Sequence, residues 1–161
     1  MAALAGLDLL RDGASGSVQF TRSPVGPQSD VLWIEANKES DPQALRAMVS
    51  ETPGRREYWA AEGHDVQVDL TLVRPLEIRG IGIQWHQGAA RQARFALETS
   101  IDGATWRKVF EGASSGKSEG LETYAFDPHE ALYVRFRGYG NTANNWNSIV
   151  HFRLIRAGAQ P

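Results

Sequence analysis

The sequence predicts an all-β fold, an antiparallel β-sandwich with one short helix, on three observations. From Val66 onward the apolar residues recur with period two. Turn residues interrupt these runs at short intervals, the spacing of strands in a sandwich or barrel. Only one stretch carries the signals of a helix.

Taken in order, residues 12–30 are rich in Gly, Ser and Pro around one strand, Ser17-Val18-Gln19-Phe20-Thr21. Residues 1–30 therefore read as an N-terminal loop and edge strand, part of the same domain or a linker. The sandwich is expected over 31–157, with a tail at 158–161. The helix is Asp41–Val49: Asp41 is the N-cap, Pro42 opens the first turn, and Leu45, Met48 and Val49 share one face. Val66, Val68 and Leu70 alternate with polar residues, and Ile78, Ile81, Ile83 and Trp85 form the next run. Phe95–Thr99 and Trp106–Phe110 flank Asp102-Gly103, whose residues suit a tight turn. Gly112–Gly120 has no apolar side chain larger than alanine and is expected to be an exposed loop. Strands over Thr123–Phe126, Leu132–Arg137 and Ile149–Ile155 complete the series.

Composition narrows the function. The chain has 161 residues, enough for one core without disulfides, and no cysteine, so thiolate metal sites are excluded. A formal charge of -2 gives no basic footprint for nucleic acid. Apolar runs are too short to cross a bilayer. Met1–Arg11 does not read as a signal peptide, because Asp8 interrupts its leucines and no basic start precedes them. Gly112-Ala113-Ser114-Ser115-Gly116 matches the serine-hydrolase elbow, but Lys117-Ser118-Glu119-Gly120 cannot supply the helix that the elbow requires. Nothing selects a catalytic pair from Glu98, Glu111, Glu119, Glu122 and Asp127. His64-Asp65 reads as a turn, since neighbours on a strand face opposite ways.

Several stretches share a pattern. Phe95–Trp106 contains Ser100-Ile101-Asp102-Gly103 followed by Trp106, and Trp59-Ala60-Ala61-Glu62-Gly63 precedes Val66-Gln67-Val68-Asp69-Leu70. Downstream lie Glu122–Phe126, Ala131–Phe136 and Gly138–Ile149. In this order, over about residues 31–156, they resemble discoidin-type (coagulation factor C-type) domains, and within these carbohydrate-binding module family 32 as found in bacterial alginate and other polysaccharide lyases. The resemblance implies a galactose-binding-domain-like jelly roll with its ligand site in loops at one end. It also implies a non-catalytic module that targets a linked enzyme to its polysaccharide. The expected ligand is a polysaccharide or oligosaccharide, with an acidic uronate polymer such as alginate favoured and galactose-type glycans open. The parent protein would be a polysaccharide lyase or glycoside hydrolase, extracellular or periplasmic, and the module monomeric. The alternative is a discoidin-like adhesion module for protein or phospholipid.

Such domains commonly hold a structural calcium between an Asp-Gly-Asp loop and a glutamate of the last strand. This chain has Val49–Gly54 in the first place and His151 in the second, a poor donor set for a hard cation, so no cofactor is assigned.

Sugars need flat apolar faces and in-plane hydrogen-bonding groups held on loops. His86 and Arg91 in the first Gly/Ala-rich turn, and Tyr139, Asn141, Asn144, Asn145 and Trp146 in the second cluster, are the candidates. Arg137 joins them, because a guanidinium fork binds a carboxylate with two hydrogen bonds. Arg135, Arg137 and Tyr139 are expected on one strand face, with Arg94 and Arg135 read as solvated charges. Trp85, Trp106 and Trp146 read as core packing, and Asn147 and Ser148 as residues that satisfy loop backbone.

Overall fold

Alternating apolar residues give each strand one inward face, and the strands pair to hide it. The structure, a computed structural model, describes residues 21–25, 29–50 and 58–158. In chain order its strands are β1 (Thr21–Pro24), β2 (Val31–Ala36), β3 (Trp59–Glu62), β4 (Val66–Trp85), β5 (Ala93–Ser100), β6 (Arg107–Ala113), β7 (Leu121–Asn141) and β8 (Trp146–Arg156). Helix α1 (Pro42–Ala47) lies between β2 and β3. The expected strand over Ser17–Thr21 falls outside the described residues apart from Thr21, where β1 begins.

All the pairings are antiparallel and build two layers. One layer runs β1-β2-β4-β7-β5-β6; in the other, β3 pairs with β8 and β8 with β4. The first part of β4, Val66–Thr71, pairs with Gly138–Tyr133 of β7 and with β2. Its later part, Ile78–Trp85, pairs with the start of β7 and with β8. Both long strands thus pass from one layer into the other. The sequence pattern reads each as two separate strands, and the reason is local. The β4–β7 register shifts between Thr71 and Leu76 and again between Ile78 and Gly80. Pro75 and Pro128, which lack an amide proton, lie within these interruptions. The alternation breaks there while the strand continues.

Helix α1 starts as expected: the Asp41 carboxylate accepts from Gln43 N–H at 2.8 Å and Ala44 N–H at 3.4 Å. Ala44 and Leu45 are buried, and Met48 just beyond joins the core. After α1, the Met48 carbonyl accepts from Phe152 N–H at 2.6 Å and ties the helix end to β8. The turn after β5 also forms as expected, with Gly103 at φ +76° and Asp102 Oδ1 accepting from Ala104 and Thr105 N–H.

Between the layers the core is aliphatic along β4 and aromatic towards one end. Phe95 lies at the centre, with its ring 4.7 Å from Trp85, 4.8 Å from Phe110, 4.9 Å from Tyr124 and 6.0 Å from Phe136. That cluster underlies the β4–β5, β6–β7 and β7–β8 loops. The loops at this end therefore rest on packed aromatic rings.

Candidate carbohydrate-binding site

Three loops meet at this end, and the backbone bonds between them explain why. Gln92 N–H donates to Thr142 Oγ1 at 3.0 Å, and Thr142 N–H returns a bond to the Gln92 carbonyl at 3.0 Å. This locks the β4–β5 loop onto the β7–β8 turn. The β6–β7 loop is held from below by Glu122, whose carboxylate accepts from Ser115 Oγ at 2.5 Å, Ser115 N–H at 3.0 Å and Tyr124 OH at 2.8 Å. Tyr124 OH in turn accepts from Trp85 Nε1 at 3.0 Å. Burial, the larger effect, and the hydrogen bond to Glu122 push the Tyr124 hydroxyl far up, so it stays protonated and donating. Ser114 is buried rather than exposed as the loop composition suggests, because its Oγ accepts from Ala93 N–H at 2.8 Å.

The loops touch closely. A Cβ on Gly88 would come within 2.2 Å of the Ser118 carbonyl, and Glu119 Oε1 accepts from Ala89 N–H at 3.1 Å. Glycine is required at position 88 by contact alone.

On this frame stands an aromatic pair. Tyr58, just before β3, and His86, just after β4, stack with centroids 3.6 Å apart and planes at 10°. His86 N–H donates to the Ser148 carbonyl of β8 at 3.1 Å. Trp59 and Ala61 are buried, so Tyr58 faces outward by alternation, as does Trp146, which is paired with Glu62. Trp146 is two residues from Ser148 on β8 and faces outward on the same side as the stack. Tyr58 is 41% and Trp146 43% exposed. The expectation of core packing therefore holds for Trp85, at 2% exposure, and fails for Trp146. Burial foremost, then the Arg91 charge, lowers the pKa of His86 below its ordinary 6.5 against a smaller opposing pull from Glu119. The ring is neutral at pH 7, and it lies close enough to Arg91 to feel its charge. The Arg91 guanidinium has no ion-pair or hydrogen-bond partner among the described residues.

The asparagines divide in role. Asn141 Nδ2 donates to Asn144 Oδ1 at 2.8 Å and to the Trp146 carbonyl at 2.7 Å, while its Oδ1 accepts from Ala143 and Asn144 N–H. Asn144 Oδ1 also accepts from Trp146 N–H at 3.0 Å. Both shape the turn. Asn145 is exposed, and its side chain bonds to no described residue, while its carbonyl accepts from Gly63 N–H at 2.8 Å. Asn147 is buried as a scaffold: Oδ1 accepts from Gly140 N–H at 2.8 Å, and Nδ2 donates to the Ala61 and Gly63 carbonyls at 3.1 and 2.9 Å.

Arg137 and Tyr139 lie on the outward face of the β4-β7-β5 layer with Arg135, as alternation predicts. Arg137 Nε donates to Glu98 at 2.9 Å. Arg135 is not the solvated charge expected: Nε and Nη2 donate to the two Asp69 oxygens at 2.7 and 3.0 Å, and the guanidinium lies 3.7 Å above the Trp106 ring. His64 Nδ1–H donates to the Tyr139 carbonyl at 3.0 Å, and Asp65 pairs with Lys38 at 3.0 Å, consistent with the turn reading of that dipeptide.

Residues 34–152 match the family model for the F5/8 type C domain. The chain belongs to the F5/8 type C domain family. Among solved structures, this F5/8 type C domain is similar to the CBM32 of AlyQ in complex with 4,5-unsaturated mannuronic acid. The TM-score is 0.72 at 26% identity, over 82% of this chain and 100% of that one. A pectin binding carbohydrate binding module gives a TM-score of 0.71 at 26% identity, over 83% and 96%. A CBM32 from Clostridium perfringens, in complex with GalNAc-beta-1,3-galactose, gives 0.63 at 19% identity over 76% and 93%, a likeness of fold. No curated protein shows a significant match to the sequence. This F5/8 type C domain is a CBM32-like carbohydrate-binding module, of a class that binds without catalysis.

Calcium does not fit the last-strand position. His151 of β8 has a buried Nδ1 with no hydrogen-bond partner among the described residues, and burial, then the Arg153 charge, lowers its pKa. A neutral nitrogen is a poor ligand for a hard cation. No group of three or more metal-ligating side chains forms among the described residues; Glu51–Gly54 of the other expected stretch lies outside them. No helix among the described residues is long and apolar enough to cross a membrane.

Sequence reasoning passed over Tyr58. The signal was available: an aromatic immediately before an inward tryptophan must face out if the strand pattern extends to it.

Proposed function

We propose that this domain binds an acidic, uronate-bearing polysaccharide at the loop end, through Arg91, His86, Asn145 and Trp146 together with Tyr58. The observation that carries this reading is the Arg91 guanidinium, which has no partner among the described residues and acts electrostatically on His86 of the stack. Arg135 and Arg137 have their carboxylates within the protein, whereas Arg91 keeps its fork for a carboxylate from outside. Trp146 and the stack offer flat surfaces to the C–H faces of sugar rings, and Asn145 offers an amide to their hydroxyls. The mannuronic acid bound by the CBM32 of AlyQ and the pectin bound by the second relative are of this chemical class. The module acts as a monomeric tether that holds a linked polysaccharide-degrading enzyme, outside the cytoplasm, at its substrate, with the domain spanning 31–157.

Titration calorimetry against oligomannuronate, oligogalacturonate and a neutral galactan tests this. Uronate binding is expected to exceed galactan binding and to weaken with salt. Arg91→Ala is expected to reduce it by about tenfold or more, the value of a charge-assisted pair, and Trp146→Ala by a similar factor. Equal affinity for neutral and acidic glycans, or an Arg91→Ala variant that binds uronates as the wild type does, would refute the uronate reading.

A further inference from the structure

We infer that Gln87 contacts the glycan, its side-chain amide holding a sugar hydroxyl, and that it is a specificity-determining residue of the site; this rests on the location of the site proposed above. Gln87 has φ +56° and is the one non-glycine residue in the left-handed region among the described residues. The other five positive-φ positions, Gly63, Gly103, Gly116, Gly140 and Gly158, are all glycine. A side chain at such an angle is unfavourable, and residues held so cluster where a side chain is needed.

The turn itself does not need glutamine. Its bond, from Ala90 N–H to the Gln87 carbonyl at 3.0 Å, uses the backbone alone and is available to glycine. Nor does packing need it: Gln87 is exposed, and its amide bonds to no described residue. The neighbouring glycine serves a different purpose, since Gly88 is fixed by the Ser118 carbonyl. What remains is position. Gln87 follows the stacked His86 and shares its loop with Arg91, which has no partner among the described residues. One amide supplies both a donor and an acceptor, the pairing that a sugar hydroxyl asks for.

Because the strain and the contact belong to one side chain, they separate in opposite directions. Gln87→Gly is expected to raise the melting temperature by about 2–4 °C and to weaken binding of tetrameric oligomannuronate or oligogalacturonate by about three- to tenfold. Gln87→Ala is expected to weaken binding equally without the rise in melting temperature. Wild-type affinity in both variants, or a Gln87→Gly domain that melts lower than the wild type, overturns the inference. Arg91→Ala and Trp146→Ala separate the two levels. If they lose binding while the Gln87 variants keep it, this inference alone fails; if they too bind as the wild type does, the site lies elsewhere and both fail. A wild-type domain that binds neither probe removes both.

Discussion

Arg135 donates two bonds to Asp69 and covers Trp106, Arg137 donates one to Glu98 from a more exposed position, and Arg91 donates to no described residue. One side-chain type thus has three settings, and the number of internal acceptors separates them. The consequence for stability follows from desolvation. Both members of the Arg135–Asp69 pair are only 15% exposed, so removing the Asp69 carboxylate leaves a mostly buried cation with Glu98, 4.0 Å away, as its remaining counter-charge. Asp69→Ala is expected to lower unfolding free energy by about 2–3 kcal/mol. Arg137→Ala is expected to cost less than about 1 kcal/mol, as for other exposed pairs. Both substitutions should leave uronate affinity unchanged, since this face lies away from the loop end. Urea midpoints set beside calorimetric titrations check the contrast; a large loss of binding in either variant would move the site to the sheet face.

Among the elements, the β7–β8 turn depends most on one side chain. Asn147 makes three hydrogen bonds, those to Gly140 and Ala61 buried and that to Gly63 partly so, and its Oδ1 lies 2.3 Å from where a Cβ on Gly138 would stand. Asn147→Ala is expected to cost about 3 kcal/mol by chemical denaturation, and to loosen the turn that presents Asn145 and Trp146. Asn147→Ala with wild-type stability would show that water replaces those bonds. This turn also marks how far the sequence could be read. Alternation located the inward and outward faces of β4 and β7, and local signals the Asp-Gly turn and the cap of α1, because each rests on neighbours in sequence. It divided β4 and β7 where Pro75 and Pro128 interrupt the pattern, since a ladder can resume across a bulge that the sequence marks as an end. Of the proposed site, His86, Arg91, Asn145 and Trp146 were recognisable as polar or aromatic residues in small-residue loops. That Asn141 and Asn144 bond within the turn, and that Arg137 is paired with Glu98 39 residues away, depends on contacts that only the folded chain creates.

For the whole molecule, His86 and His151 both have pKa values below the ordinary 6.5, in each case chiefly through burial. The unfolded chain therefore binds protons first as pH falls. The stability these groups contribute is complete above about pH 6.5 and is lost as pH drops from there through their lowered folded values. The melting temperature is expected to fall between pH 7 and pH 5. His151→Leu, which removes a buried Nδ1 with no partner among the described residues but also gives up the ring's hydrogen bond to the Met48 backbone, should flatten that fall. An unchanged pH slope in the variant would exclude His151 as its source.

The passage of β4 and β7 through both layers has a consequence for how the domain comes apart. Neither layer owns its central strands, so neither can detach and leave the other intact. Unfolding is therefore expected to be all-or-none, with no half-sandwich intermediate. Refolding must first bring together strands that are far apart in sequence, such as Val66 and Gly138, so it is expected to be slow. Loss of the loop end's geometry is therefore expected only together with loss of the whole fold.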